Sequence, residues 1–317
     1  MEEPVLSALQ EEFDVRIFTE DEMNDDPVSL SFLRGAEGII GLGFPGNSDI
    51  LDKAPNLKII SNISVGYSNL DLEALTKRKI MATNTPDVLT DTVADMAMGL
   101  IISTARRMPE LDQYVKQGQW KEAVRTELFG MDIHHKTLGI IGMGRIGQAI
   151  AKRAHFGFNM DILYHSRTPK PEAESQFYAD YMNLENLLKE SDFVCMITPL
   201  TEETRGMIGK KEFQLMKPSA IFINISRGST VVEKDLIEAL KEKEIAAAGL
   251  DVYVEEPINP DNELLKMNHV VTLPHIGSAT YETEIKMAEL AAKNLRAGLN
   301  GEKPGNLVNQ EVWEKDK

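Results

Sequence analysis

The segment Thr137–Ala154 constrains the fold more than any other part of the chain. It opens as the apolar run Thr137-Leu138-Gly139-Ile140-Ile141, passes through Gly142-Met143-Gly144-Arg145-Ile146-Gly147, and continues as an amphipathic stretch to Ala154. A strand running into a G-x-G-x-x-G turn that opens a helix is the context that marks a dinucleotide-binding βαβ unit. Gly142 permits the tight turn, Gly144 lets the backbone approach a pyrophosphate, and Gly147 allows close helix–strand packing. The helix N-terminus, where Arg145 and Ile146 lie, supplies free N–H groups and a partial positive charge.

The rest of the chain repeats this alternation. Short β-rich runs occur at Gly38–Leu42, Lys58–Ser61, Ile80–Asn84, Asp161–Tyr164, Phe193–Ile197, Ala220–Asn224, Ala247–Val252 and Val270–Leu273, with helical patterns between most of them. Alternation of this kind predicts α/β architecture with parallel sheets. At 317 residues the chain is long enough for two domains. The mostly helical segment Thr92–Gln117, which Pro109 kinks or restarts, separates an early group of strands from a later one. A second long amphipathic helix is expected over Tyr281–Leu299. The predicted division is a first domain of residues 1–93 plus 277–317 and a central dinucleotide-binding domain of residues 94–276.

Charge narrows the partners. The chain has 34 Lys and Arg against 50 Asp and Glu, a net charge of −16. Such a surface disfavours nucleic acid and anionic membranes. An anionic substrate must then be drawn by a local cation, because the global field repels it. No apolar run approaches the roughly 18 residues of a membrane span, and the acidic opening Met1-Glu2-Glu3-Pro4 lacks the apolar core of a secretory signal. The single cysteine, Cys195, lies in an apolar run and reads as a buried thiol. A reducing, cytoplasmic location is the expectation, and no metal is assigned.

The strand after the fingerprint bears on which dinucleotide binds. In NAD sites an acid about 20 residues beyond the glycines takes the ribose hydroxyls. Here the strand ends in His165-Ser166-Arg167-Thr168-Pro169-Lys170, with no acid between Asp161 and Glu172. A guanidinium can pair with a 2′-phosphate in a bidentate way. Ser166, Arg167 and Thr168 therefore predict a preference for NADP(H), with NAD(H) possible; a solvated basic turn on an NAD enzyme is the alternative.

Three polar residues follow later strands: Arg227 in Ile225-Ser226-Arg227-Gly228, Glu256 in Val254-Glu255-Glu256-Pro257, and His275 in Leu273-Pro274-His275-Ile276-Gly277. Each alone has a bland explanation. Together, downstream of a dinucleotide fold, they suit reduction of a 2-oxo acid. His275 would give a proton to the forming alkoxide, Glu256 would favour its charged form and raise its pKa, and Arg227 would clamp the carboxylate and polarise the carbonyl.

The order of these motifs resembles the D-isomer-specific 2-hydroxyacid dehydrogenases, most of all their glyoxylate/hydroxypyruvate reductase and 2-ketogluconate reductase branch. The stretches carrying the resemblance are Gly139–Gly147, Ile223–Gly228, Gly249–Pro257 and Pro274–Thr280, helped by His134–Thr137 and His155–Met160. The resemblance implies two Rossmann-like or flavodoxin-like domains, the coenzyme domain inserted into the substrate domain. It implies the catalytic set Arg227, Glu256 and His275. It further implies that Val65 and Gly66, in Asn62–Tyr67, hold the substrate carboxylate together with Arg227 and His275. Thr92 would lie near the hinge and cofactor. Pro199 and Ile225 would line the adenine and nicotinamide ends, with Asp251 and Gly277 near the nicotinamide. A homodimer through the coenzyme domain and a small anionic 2-oxo or 2-hydroxy acid substrate complete the expectation.

Members of this family usually begin with a strand, whereas Glu2–Leu9 already reads as the first helix. A missing first strand, by shortening or truncation, would expose a sheet edge or apolar surface. Two other functions remain open at this point. One is a dinucleotide-sensing regulator of the same fold with little turnover. The other is a dehydrogenase of another acid, such as formate or phosphoglycerate.

Overall fold

The computed structural model describes residues 3–18 and 27–314, and the chain divides into two compact units, Met1–Leu89 with Ser278–Lys317, and Thr90–Gly277. The first unit holds a parallel sheet of β1 (Gly38–Gly41), β2 (Ile59–Asn62) and β3 (Met81–Thr83), in that order. The central strand β2 is wholly buried, as the all-apolar start Ile59-Ile60 requires. One face is covered by the helix Tyr281–Leu299, which buries Met287, Ala288, Ala291, Ala292 and Leu295. Its small residues let it approach closely: Ser61 Oγ donates to the Ala291 carbonyl at 2.7 Å. Past this helix the chain returns to β3, where Asn309 accepts from the Ala82 N–H at 2.8 Å and donates to the Ile80 carbonyl at 2.9 Å.

The opening helix spans Glu3–Gln10; Glu2, its expected first residue, lies outside the described residues. It buries Val5 and Leu9 and is fastened to Tyr281–Leu299 by Arg296, whose Nε donates to both Glu12 carboxylate oxygens at 2.8 and 3.0 Å. Among the described residues the first sheet has three strands, with β1 at one edge.

The second unit holds a seven-stranded parallel sheet of order β10-β9-β8-β7-β4-β5-β6. Its strands are β4 (Thr137–Ile141), β5 (Asp161–His165), β6 (Asp180–Tyr181), β7 (Phe193–Met196), β8 (Ile221–Asn224), β9 (Ala247–Leu250) and β10 (Val270–Thr272). Strands buried on both faces read as continuous apolar runs, and β7, β8 and β9 are buried at every position. The order reverses at β4, whose neighbours are β5 on one side and β7 on the other. Ligands in open α/β sheets gather at the carboxyl ends of strands beside such a switch point.

The helical segment in which Pro109 was expected to kink or restart the path is two helices, Thr90–Ala105 and Met108–Lys116. Arg107 between them takes a left-handed conformation, φ 54°, and Pro109 stands at the start of the second, so it restarts the path rather than kinking it. The strand β6 went unrecognised because it is only two residues long and exposed. Within this unit Arg153 ties the fingerprint helix Arg145–Phe158 to Thr90–Ala105, donating to Asp95 at 2.6 Å and Asp91 at 3.0 Å.

Candidate functional site

Every residue singled out in the second unit except Thr92 follows the carboxyl end of a sheet strand or opens the fingerprint helix. Gly142 and Gly144 follow β4; Ser166, Arg167 and Thr168 follow β5; Pro199 follows β7; Ile225 and Arg227 follow β8; Asp251 and Glu256 follow β9; His275 and Gly277 follow β10. Thr92 sits in the first turn of Thr90–Ala105, half-buried, and has a polar partner.

The glycine turn fits a dinucleotide pyrophosphate. Gly142 has φ 110°, and a Cβ there would lie 2.5 Å from the Ile197 carbonyl oxygen. A Cβ on Gly144 would meet nothing within 4 Å, which leaves a cradle directly over the helix end. Gly147 packs against Gly142, where a Cβ would sit 2.2 Å from its carbonyl oxygen. No side chain caps the helix N-terminus at Gly144, and a helix end of this kind is suited to a ligand's anionic oxygens. Beside this loop, Thr198 Oγ1 is buried with no hydrogen-bond partner among the described residues. A buried hydroxyl is costly in that state, and a polar ligand over the loop would relieve it.

Arg227, Glu256 and His275 come together. His275 Nδ1 lies 2.7 Å from Glu256 Oε2, and Arg227 is close enough for its charge to act on Glu256. Burial pushes the Glu256 carboxyl up, but hydrogen bonds from His275 and the Tyr253 N–H, with the charges of His275 and Arg227, hold it below the ordinary glutamate range. It is therefore ionised at neutral pH and can only accept. That makes His275 Nδ1 the donor and leaves Nε2 as the nitrogen that can hand over a proton. Glu256 Oε1 accepts from the Tyr253 N–H at 2.9 Å, which fixes the carboxylate's orientation.

Arg227 is set differently. It is half-buried, and burial pushes its pKa down while Glu256 opposes that. Among the described residues its guanidinium makes no ion pair, and its one hydrogen bond runs from Nη1 to the adjacent Ser226 carbonyl at 2.6 Å. A desolvated cation without a contacting carboxylate is costly, and a bound anion would satisfy it. Its backbone is held by a buried polar network. Thr230 Oγ1 donates to the Arg227 carbonyl at 2.6 Å, and Asn224 Oδ1 accepts from the Ser226 N–H and hydroxyl at 3.0 and 2.8 Å. The next residue must be glycine, since a Cβ on Gly228 would fall 1.8 Å from the Tyr253 carbonyl carbon. The Arg227 and Glu256 loops thus share one contact.

Asp251 is 2% exposed, and its two oxygens accept from the Ile276 and Gly277 N–H groups at 2.8 and 2.9 Å. Burial pushes its carboxyl above the ordinary range despite those bonds and the nearby His275. Its hydrogen bonds therefore brace the loop carrying His275, which sits at φ 54°. Sequence reasoning missed Tyr253 altogether. Its hydroxyl, pushed up to about 12 by burial, donates to the Leu250 and Leu273 carbonyls at 3.2 and 3.0 Å and joins the loops after β9 and β10.

In the first unit, the loop after β2 has its carbonyls occupied and its amides open. Asn84 Nδ2 donates to the Val65 carbonyl at 2.9 Å, and Asn62 Nδ2 to the Gly66 carbonyl at 2.8 Å. The Val65 and Gly66 N–H groups have no partner among the described residues. Two adjacent free amides in a braced loop can donate to the oxygens of an anion.

A switch-point sheet, a glycine cradle and an Arg–Glu–His cluster at the strand ends describe a nicotinamide-dependent oxidoreductase site. Residues 98–277 match the family described as "D-isomer specific 2-hydroxyacid dehydrogenase, NAD binding domain". The chain belongs to that family. It is similar to glyoxylate/hydroxypyruvate reductase B of Shigella boydii and of Escherichia coli K12, at 50% identity over 97% of this chain and 95% of each relative. Among solved structures, it resembles an NADPH-dependent glyoxylate/hydroxypyruvate reductase from Sinorhizobium meliloti in complex with NADP and malonate. That match has a TM-score of 0.85 at 34% identity and covers 97% of this chain and 94% of the other. A protein from Thermus thermophilus gives a TM-score of 0.86 at 39% identity over 96% of both chains. No helix among the described residues is long and apolar enough to cross a membrane.

Proposed function

We propose that the chain reduces a small 2-oxo acid (glyoxylate, hydroxypyruvate or 2-ketogluconate) to the 2-hydroxy acid, of D configuration where a stereocentre forms, with NADP(H) preferred over NAD(H). The observation that carries the reading is the half-buried Arg227 guanidinium without an ion pair among the described residues, beside a His275–Glu256 pair at 2.7 Å. A small acid with a reducible carbonyl answers both: the carboxylate satisfies the cation, and the developing alkoxide takes the proton. The names of the relatives support this substrate class.

In this reading the bound nicotinamide supplies the hydride. Arg227 holds the substrate carboxylate and offsets negative charge as it grows on the carbonyl oxygen. His275 Nε2 gives its proton to that oxygen, and Glu256 stabilises the imidazolium that carries it. The Val65 and Gly66 amides take a carboxylate oxygen. Thr92, Pro199, Ile225, Asp251 and Gly277 belong to the cofactor's surroundings, as do the glycines and first-turn amides of the fingerprint. Steady-state rates on the three oxo acids with both dinucleotides test the proposal. Turnover of glyoxylate and hydroxypyruvate is expected; activity confined to another acid would overturn the substrate assignment.

The cofactor preference is supported by the loop after β5, where Arg167 and Thr168 are exposed and Ser166 Oγ closes the turn by donating to the Thr168 carbonyl at 2.7 Å. Replacing Arg167 with Ala should lower the ratio of NADPH to NADH efficiency by roughly 10-fold or more, the worth of a charge-assisted bond. An unchanged ratio would show that the loop does not read the 2′-phosphate.

A homodimer through the second unit is part of the same reading. Its support is the segment after Ala105, where Met108, Val115, Trp120, Val124 and Phe129 are between 46% and 61% exposed and the helix Met108–Lys116 buries nothing. Apolar side chains concentrated in this way mark an interaction surface. Sedimentation velocity should give a dimer, and Trp120→Glu should shift it toward monomer; a monomeric parent protein would refute this.

A further inference from the structure

The loop that carries Ser166, Arg167 and Thr168 is held from below by a buried tyrosine. Tyr164, on β5, is 0% exposed. Its single hydroxyl does two jobs. It donates to Glu174 Oε1 at 2.6 Å and accepts from the Lys170 N–H at 2.6 Å. Lys170 ends the loop and precedes the helix Pro171–Phe177, in whose first turn Glu174 stands. At the loop's other end, Tyr181 of β6 donates to the Ser166 carbonyl at 3.2 Å. The two rings pack at 5.4 Å between centroids, so paired strands grip both ends of the turn. Burial, with the Glu174 bond, pushes the Tyr164 hydroxyl up to about 12. It therefore stays a donor throughout the neutral range.

We propose that Tyr164 is a positioning residue for cofactor choice, holding the loop of residues 166–170 in the shape that presents Ser166, Arg167 and Thr168 to the 2′-phosphate of NADP(H). The inference rests on the reading that this loop takes the 2′-phosphate. The chemistry follows from geometry. A bidentate guanidinium–phosphate pair is demanding in direction, so a small shift of the turn costs NADP(H) more than NAD(H), which has no phosphate there. Tyr164 touches neither cofactor nor substrate in this account; it acts through the Lys170 backbone and through Glu174.

The test is the Michaelis constant for each dinucleotide in the parent enzyme, Tyr164→Phe, Glu174→Ala and Arg167→Ala, with thermal unfolding of each. Tyr164→Phe removes one hydroxyl and keeps the ring. It should raise KM for NADPH about 3–10-fold, the range of a lost neutral hydrogen bond, leave KM for NADH within about twofold, and leave kcat at saturating NADPH nearly unchanged. Glu174→Ala should move the same ratio in the same direction, and it carries the test if Tyr164→Phe does not fold. An unchanged ratio of KM for NADPH to KM for NADH in both variants, while Arg167→Ala raises it, overturns the role of Tyr164 and leaves the cofactor reading standing. Equal loss with both dinucleotides marks a merely structural tyrosine and also overturns it. A parent enzyme without NADPH preference, indifferent to Arg167→Ala, defeats the cofactor reading and this inference with it.

Discussion

Replacing His275 with Ala should lower kcat for hydroxypyruvate reduction by about 10²–10⁴-fold, the usual worth of a positioned general acid, while NADPH binds as before. The expectation follows from one geometric fact and its electrostatics. Glu256 is ionised and accepts the Nδ1–H hydrogen bond at 2.7 Å, so Nε2 is the proposed proton donor. The imidazole is 45% exposed at its side chain and is not a core element, so its loss should barely change folding. Asp251 still grips the following amides, so the loop keeps its path. Titration of NADPH fluorescence would show unchanged affinity. Near-normal turnover in this variant would remove His275 from the proposed mechanism.

Arg227→Ala should cut kcat/KM for the oxo acid by about 10²–10⁴-fold, if two charge-assisted hydrogen bonds of roughly 1.5–3 kcal/mol each are lost. The damage should fall on substrate far more than on cofactor. An unusual corollary concerns stability. A surface ion pair lost to alanine costs little, and a buried ion pair broken from one side costs much. Arg227 has no ion pair in the described structure, and burial opposes its charge. Its removal should leave the melting temperature unchanged or slightly raised. A large drop in melting temperature, or equal loss of NADPH affinity, would show that Arg227 serves the fold rather than the substrate.

Much of this was legible in the residue order. The strands of the second unit announce themselves as short apolar runs because a parallel sheet covered on both faces needs no polar alternation. The fingerprint gave the helix end at Gly144 without any structure, since few other tasks need that spacing of glycines. Arg227, Glu256 and His275 were legible as a set, because each follows a strand end and ligands gather there. What stayed hidden depends on backbone partners distant in sequence. Tyr253 reads as one more apolar residue in its run, yet it orients Glu256 and joins two loops. Asp251 was expected at the nicotinamide, and its hydrogen bonds to Ile276 and Gly277 could not be read from spacing. The Arg153 link to Asp91 and Asp95 spans about 60 positions and follows from helix packing alone. The break at Arg107 was ambiguous because a proline near a helix start and one within a helix look alike until the preceding φ is known.

The most direct measurement is a single turnover. Protein saturated with NADPH is mixed with excess hydroxypyruvate, and the loss of nicotinamide absorbance is followed. The reading of Arg227, Glu256 and His275 as a reducing site predicts complete oxidation of the bound NADPH in the parent protein and essentially none on the same timescale in His275→Ala. Tight NADPH binding by the parent protein with no oxidation by any 2-oxo acid would contradict it and point to a dinucleotide sensor on the same fold.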